Sequence, residues 1–170
     1  MKKFALATVA AALVAAPAAA QSFDGAYAGV SVNYDNFQGS GSAEGAGFGG
    51  PGASGFVGYN VPLAGGFIGL EANIDVNSAD VGATQAEWAW GVGARAGFDL
   101  NAATSLYGRV GYQRNRLDMP RNQWVDGVRL GVGVETAVAQ NTALRVEFSH
   151  TDLERSLTNN QVALGVVFGF

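Results

Sequence analysis

The chain contains no cysteine, which removes disulfide cross-links, thiol nucleophiles and thiolate metal sites at once. Lysine is nearly as scarce: Lys2 and Lys3 are the only two in 170 residues. Beyond them, eight arginines stand against fourteen acidic residues, a net of −6. That balance argues against nucleic acid as a main partner. An exterior without lysine is also foreign to a soluble domain, which mixes both signs on its surface. Histidine occurs once, at His150. After residue 20 no apolar run reaches the length of a membrane helix, because glycine and charge interrupt each one.

What is present begins with a leader. "MKKF" supplies a positive start, "ALATVAAALVAAPAAA" an apolar stretch, and Ala18 and Ala20 an A-x-A site. This pattern predicts a cleaved secretory signal peptide over 1–20, with Gln21 opening a single mature domain over 21–170.

The mature chain alternates apolar and polar residues in eight segments, the signature of strands. They fall near 25–34, 54–62, 66–76, 86–99, 105–114, 125–136, 142–150 and 160–170. In the third, Ile68, Leu70, Ala72, Ile74 and Val76 share one face, and Glu71, Asn73 and Asp75 the other. In the sixth, Val128, Leu130, Val132 and Val134 oppose Arg129, Gly131, Gly133 and Glu135. The second segment is the least regular, because Phe56 interrupts its alternation. Short connections near 62–66, 100–104 and 137–141 alternate with longer ones near 35–53, 77–85, 115–124 and 151–159. Eight strands of about ten residues with short turns at one end match an antiparallel up-and-down transmembrane β-barrel.

A soluble barrel shares this period, so the contents of the two faces must choose between them. The polar face carries Glu71, Glu87, Arg95, Arg109, Arg129, Glu135, Arg145 and Glu147 among many glycines. That face suits a narrow interior in which arginines and acids pair. The apolar face places Tyr34, Trp88, Trp90, Tyr112, Phe148, Phe168 and Phe170 toward strand ends, as in an aromatic girdle at a bilayer edge. The expectation is therefore an all-β barrel with apolar, lipid-facing exterior and polar interior. Its interior charges either line an ion path or plug the lumen. The small bore of eight strands and the cost of unpaired buried charge favour the plug.

Several stretches carry a family resemblance. "FDGAYAGVSVNY", "GFIGLEANIDVNS", "SLYGRVGYQ" and "LRVEFSHTDL", in that order, resemble strands of the opacity-type and OmpA-type small outer-membrane barrels of Gram-negative bacteria. The last resembles an Arg-x-Glu-Tyr-x-Tyr-x-Asp strand, with Phe148 and His150 at the aromatic positions. Gly165-x-x-Phe168-x-Phe170 resembles the C-terminal signal read by the outer-membrane assembly machinery. The resemblance implies a porin-like domain in the outer membrane, with lipid and lipopolysaccharide around it; unlike full-length OmpA, no periplasmic peptidoglycan-binding domain is expected to follow. It also implies a monomer whose loops are open to an extracellular partner.

Three features invite chemistry. "GAGFGG" at 45–50 fits a dinucleotide-binding glycine pattern, but glycine is common throughout and no helix follows. His150 evokes lipid A deacylases, whose motif resembles His-x-Ser-Asn; here the sequence is His150-Thr151-Asp152, so the motif's serine is missing and Ser156 lies only in the next loop. Ser149 lies on the opposite face by alternation. In "RNRLDMPRNQW", Arg114, Arg116 and Arg121 gather as candidates to contact lipopolysaccharide phosphates. The expectation is a structural protein, not an enzyme, with no cofactor and no metal. A narrow small-solute channel is the alternative, and a lipid A-modifying enzyme the less favoured one.

Overall fold

The computed structural model describes residues 24–39, 47–77, 80–81, 84–118, 123–154 and 157–170. The expected signal peptide lies outside them. The strands are β1 (Gly25–Gly39), β2 (Gly47–Leu63), β3 (Gly66–Asn77), a two-residue β4 (Asp80–Val81), β5 (Thr84–Asn101), β6 (Thr104–Asp118), β7 (Gln123–Ala139), β8 (Thr142–Leu153) and β9 (Leu157–Gly169). Each pairs antiparallel with its sequence neighbour; β3 pairs with β5, while β4 pairs only with the start of β5. β1 pairs with β9 and closes eight staves into a ring. Among the described residues, closure pairs each of the eight staves on both sides through the apolar belt, which a lipid environment requires.

The register fixes the barrel's shape. A row of partners runs from Asn36 through Asn160, His150, Leu130, Val110, Ala94, Leu70 and Tyr59, returning to β1 at Ala26. It returns ten residues below its start (36 − 26), a shear of ten. With a rise of ~3.3 Å and a strand spacing of ~4.8 Å, that shear tilts the strands by roughly 40°. The backbone wall then lies about 8 Å from the axis, leaving a bore that side chains can fill.

Burial is inverted relative to a soluble protein. Val32, Leu70, Ile74, Leu130 and Leu164 are exposed, whereas Glu71, Arg95, Arg109, Arg129, Glu135, Arg145 and Glu147 are buried. An apolar surface this continuous demands a nonaqueous partner, so the apolar face is the outside.

The staves run further than the alternation suggests. β1 continues to Gly39 and β2 begins at Gly47, so much of the expected 35–53 loop is paired strand. Residues 47–50 of "GAGFGG" face 35–38 across this ladder, which rules out a phosphate loop there. Arg114 and Arg116 likewise lie on β6, not in a loop. Hydrogen bonding continues past the lipid edge, while the apolar code on the outer face stops there. Phe56 does not break the pattern either: it keeps parity with Gly58 and Asn60 and points into the lumen.

Candidate functional site

The lumen is built on residues of one parity from all eight staves. Glu71 of β3 is its hub. It accepts hydrogen bonds from Arg109 Nη1 at 2.8 Å, Arg145 Nη1 at 2.7 Å, Arg95 Nη1 at 3.2 Å and the Tyr27 hydroxyl at 2.8 Å. Glu135 of β7 takes Arg95 Nη2 at 2.7 Å and Arg145 Nε at 2.7 Å. Glu147 of β8 accepts from the Tyr107 hydroxyl at 2.5 Å and from Arg129 Nη2 at 3.2 Å. Seven of the eight expected lumen charges are thus joined. Glu87 falls at a bulge of β5 between Ala86 and Trp88, and its side chain lies outside the described residues.

Aromatic rings complete this layer. The Arg95 guanidinium lies 4.1 Å from the Tyr107 ring centre and 4.8 Å from that of Phe67; Arg145 lies 4.2 Å from Phe56. Stacking on a ring face stabilises a cation where no water is available. The rings need room, and glycine supplies it. Tyr27 lies over Gly58, Phe56 over Gly29, Phe67 over Gly97 and Tyr107 over Gly133, each pair directly opposed across neighbouring strands. A Cβ at any of these glycines would run into its ring. The glycines on the polar face therefore make space for rings as well as for charges.

Toward the loop end the chemistry changes. Asp35 is held by carboxamides: Asn33, Asn159 Nδ2 at 2.7 Å and Gln161 Nε2 at 3.0 Å. Asp75 accepts from Asn73 Nδ2 at 2.6 Å, Gln113 Nε2 at 2.8 Å and the Ser54 hydroxyl, with Arg129 Nη1 at 3.6 Å. The sequence pattern does not single out Asp35, because the apolar alternation of the first segment ends at residue 34. Its parity with Tyr27 and Asn33 is the signal that finds it.

The charged layer encloses little space. A cavity of about 20 Å³ lies among Glu71, Asp75, Arg109, Arg129, Arg145 and Glu147, room for about one water. A larger concavity of about 740 Å³ is on the outside, floored by Ala94, Ala96 and Gly108 in the apolar belt.

The outer rim differs from one side of the barrel to the other. Across β5, β6 and β7, Trp88 and Trp124 meet edge to face at 5.1 Å, and Trp90 and Tyr112 lie 5.8 Å apart. Arg114 is already engaged, with Nε 3.2 Å from Asp126 Oδ1 and its guanidinium 5.1 Å from the Trp124 ring centre. Arg116 sits between Trp88 and Trp124 in register, and Arg121 lies outside the described residues. Across β8 and β9, His150 Nδ1 is 2.8 Å from Asn160 Oδ1. Ser149 is buried on the lumen side.

At the turn end, Phe168 and Phe170 are exposed on the outside, and the Phe170 amide donates to Ala26 O at 3.0 Å. Gly165 faces inward between Arg145 and Ser31, with no room for a side chain.

Solved structures share this architecture. Neisserial surface protein A superposes with a TM-score of 0.63 at 18% identity, covering 86% of this chain and 98% of that one. Ail, the attachment invasion locus protein of Yersinia pestis, superposes with 0.58 at 13% identity, covering 85% and 98%. Ail in complex with the heparin analogue sucrose octasulfate gives 0.57 at 12%, with the same coverage. No curated protein matches the chain in sequence. The family model for the outer membrane protein beta-barrel domain matches residues 5–170. With its apolar exterior, closed ring of eight staves and buried charge network, the chain belongs to the outer membrane protein β-barrel domain family.

Proposed function

We propose that this protein is a structural, non-catalytic outer-membrane barrel, a monomer with a closed lumen that presents its loops outside the cell. The observation that carries this reading is the convergence of Arg95, Arg109 and Arg145 on Glu71. Beside it the charged layer encloses a cavity with room for about one water. Buried ion pairs resist separation, because breaking one leaves an uncompensated charge. Reconstitution into planar bilayers tests this: the expected result is no conductance above background. Discrete steps would instead establish the narrow channel.

The rim chemistry supports a non-catalytic reading. His150 is bonded to Asn160, and Ser149, its nearest serine in sequence, is buried on the other face. A general base needs a nucleophile within hydrogen-bond reach. His150→Asn should leave the host's lipid A profile unchanged.

Contact with lipopolysaccharide phosphates through Arg114, Arg116 and Arg121 is part of the same proposal. Arg114 is half-exposed and already paired with Asp126, which limits its share. Exchanging all three for Gln should weaken lipopolysaccharide co-purification, and unchanged retention sinks the idea. Gly165, Phe168 and Phe170 are proposed as the signal for the assembly machinery. The exposed aromatic side chains at the seam strand support it.

A further inference from the structure

At the loop end three strands turn apolar side chains inward, although Asn115 opposite Val125 stays polar. Through the apolar belt the outward residues are apolar and the inward ones polar, apart from small residues and rings such as Phe56 and Phe67 that lie against guanidiniums. Beyond it, on β1, Asn36 and Gln38 are exposed while Phe37 between them is buried. On β8, Asp152 is exposed and Leu153 buried; on β7, Asp126 is half-exposed and Val125 buried. Phe37, Val125 and Leu153 are 0%, 2% and 3% exposed. They lie beyond the amide layer, two residues past Asp35 on β1 and two past Thr151 on β8.

A barrel that needs only to pair its lumen charges has no use for this reversal. The aliphatic side chains of Val125 and Leu153 cannot join the ion pairs. Apolar side chains that narrow a mouth would exclude water, since a narrow apolar constriction dewets. Excluding water keeps the layers beneath in a low-dielectric medium, where their electrostatic contacts are stronger.

We propose that the outer mouth carries an apolar seal formed by the inward side chains at the loop ends of β1, β7 and β8. It bars water and small ions from outside and acts separately from the Arg–Glu layer below. The proposal rests on the closed-lumen reading and adds a second barrier to it.

The absence of native cysteine makes the seal directly testable. Ser149→Cys is nearly isosteric and places a thiol inside, four residues below Leu153. Asp152→Cys places one outside at the same end. The probe is a cationic methanethiosulfonate added to the folded protein in phospholipid vesicles. The thiol of the Ser149→Cys variant should react much more slowly than that of the Asp152→Cys variant. Adding Phe37→Ala or Leu153→Ala to Ser149→Cys, singly and together, should speed the inner reaction by roughly tenfold or more. Heat-modifiable migration on a gel confirms folding, and the single exchanges keep the test open if the combined variant does not fold. Equal rates for the inner and outer thiols would overturn the seal, as would an unchanged inner rate after removal of the apolar side chains. Conductance in the unmodified protein would instead overturn the closed lumen, so the two failures are distinguishable.

Discussion

Glu71 is met by three guanidiniums and a phenol; Asp35, further up the same lumen, is met by three carboxamides. Both carboxylates are buried. The first is in direct contact with opposite charge; the second, among the described residues, accepts hydrogen bonds from carboxamides. Each solution has its own fragility. A carboxylate held by several cations is hard to remove, because the cations are then left buried and alone. A carboxylate held by amides loses hydrogen bonds, with no charge stranded.

The sharpest way to break the comparison is Glu71→Gln. It keeps the size and removes the counter-charge that Arg95, Arg109 and Arg145 share, leaving Arg95 and Arg145 only Glu135 and Arg109 only the more distant Glu147, so stability should fall by about 3–5 kcal/mol. The midpoint of urea unfolding in lipid vesicles measures it. Asp35→Asn should cost about 1 kcal/mol in the same assay, because its partners among the described residues are amides rather than cations. If the two losses are equal, the distinction between the layers fails.

Gly58→Ala tests the ring–glycine pairs. A methyl there meets the Tyr27 ring and hydroxyl, which serve Glu71, and overpacking should cost about 1–3 kcal/mol. Pairing it with Tyr27→Ala should recover part of that loss in a double-mutant cycle. The smallest effect belongs to the rim. Arg114→Gln breaks a pair whose side chains are 39% and 36% exposed, and it should change stability by less than about 1 kcal/mol. Deleting Phe170 removes an exposed ring and a single backbone bond to Ala26. It should slow assembly in cells, followed by pulse-chase, more than it slows refolding in detergent.

Much of the barrel is legible because alternation is a direct imprint of two environments. Where lipid lies outside and charge inside, as at Ile68–Val76 or Val128–Val134, parity alone places each side chain. At the loop ends of the strands the pattern fails for one physical reason. Above the lipid edge, water replaces lipid and the outer face no longer needs apolar residues. Asn36 and Arg116 therefore resemble loop, and Phe37 has no apparent place in the pattern. Phe56 breaks the alternation only if every aromatic residue belongs outside. A glycine opposite it and a guanidinium above it make the lumen hospitable to its ring.

The sequence by itself determined the number of staves, their antiparallel order, which face meets lipid and the parity on which lumen charges such as Glu71 and Arg95 lie. These follow from a period of two and from short turns, both local properties. Only the tertiary structure decided that three arginines share Glu71, that Asp35 is left to amides, and that Tyr27, Phe56, Phe67 and Tyr107 each lie on a glycine. Apart from Asn33, the partners of these two carboxylates are 24 to 126 residues away in sequence. They meet because ring closure and a shear of ten set which residues of distant strands stand at the same height. No local pattern encodes that offset.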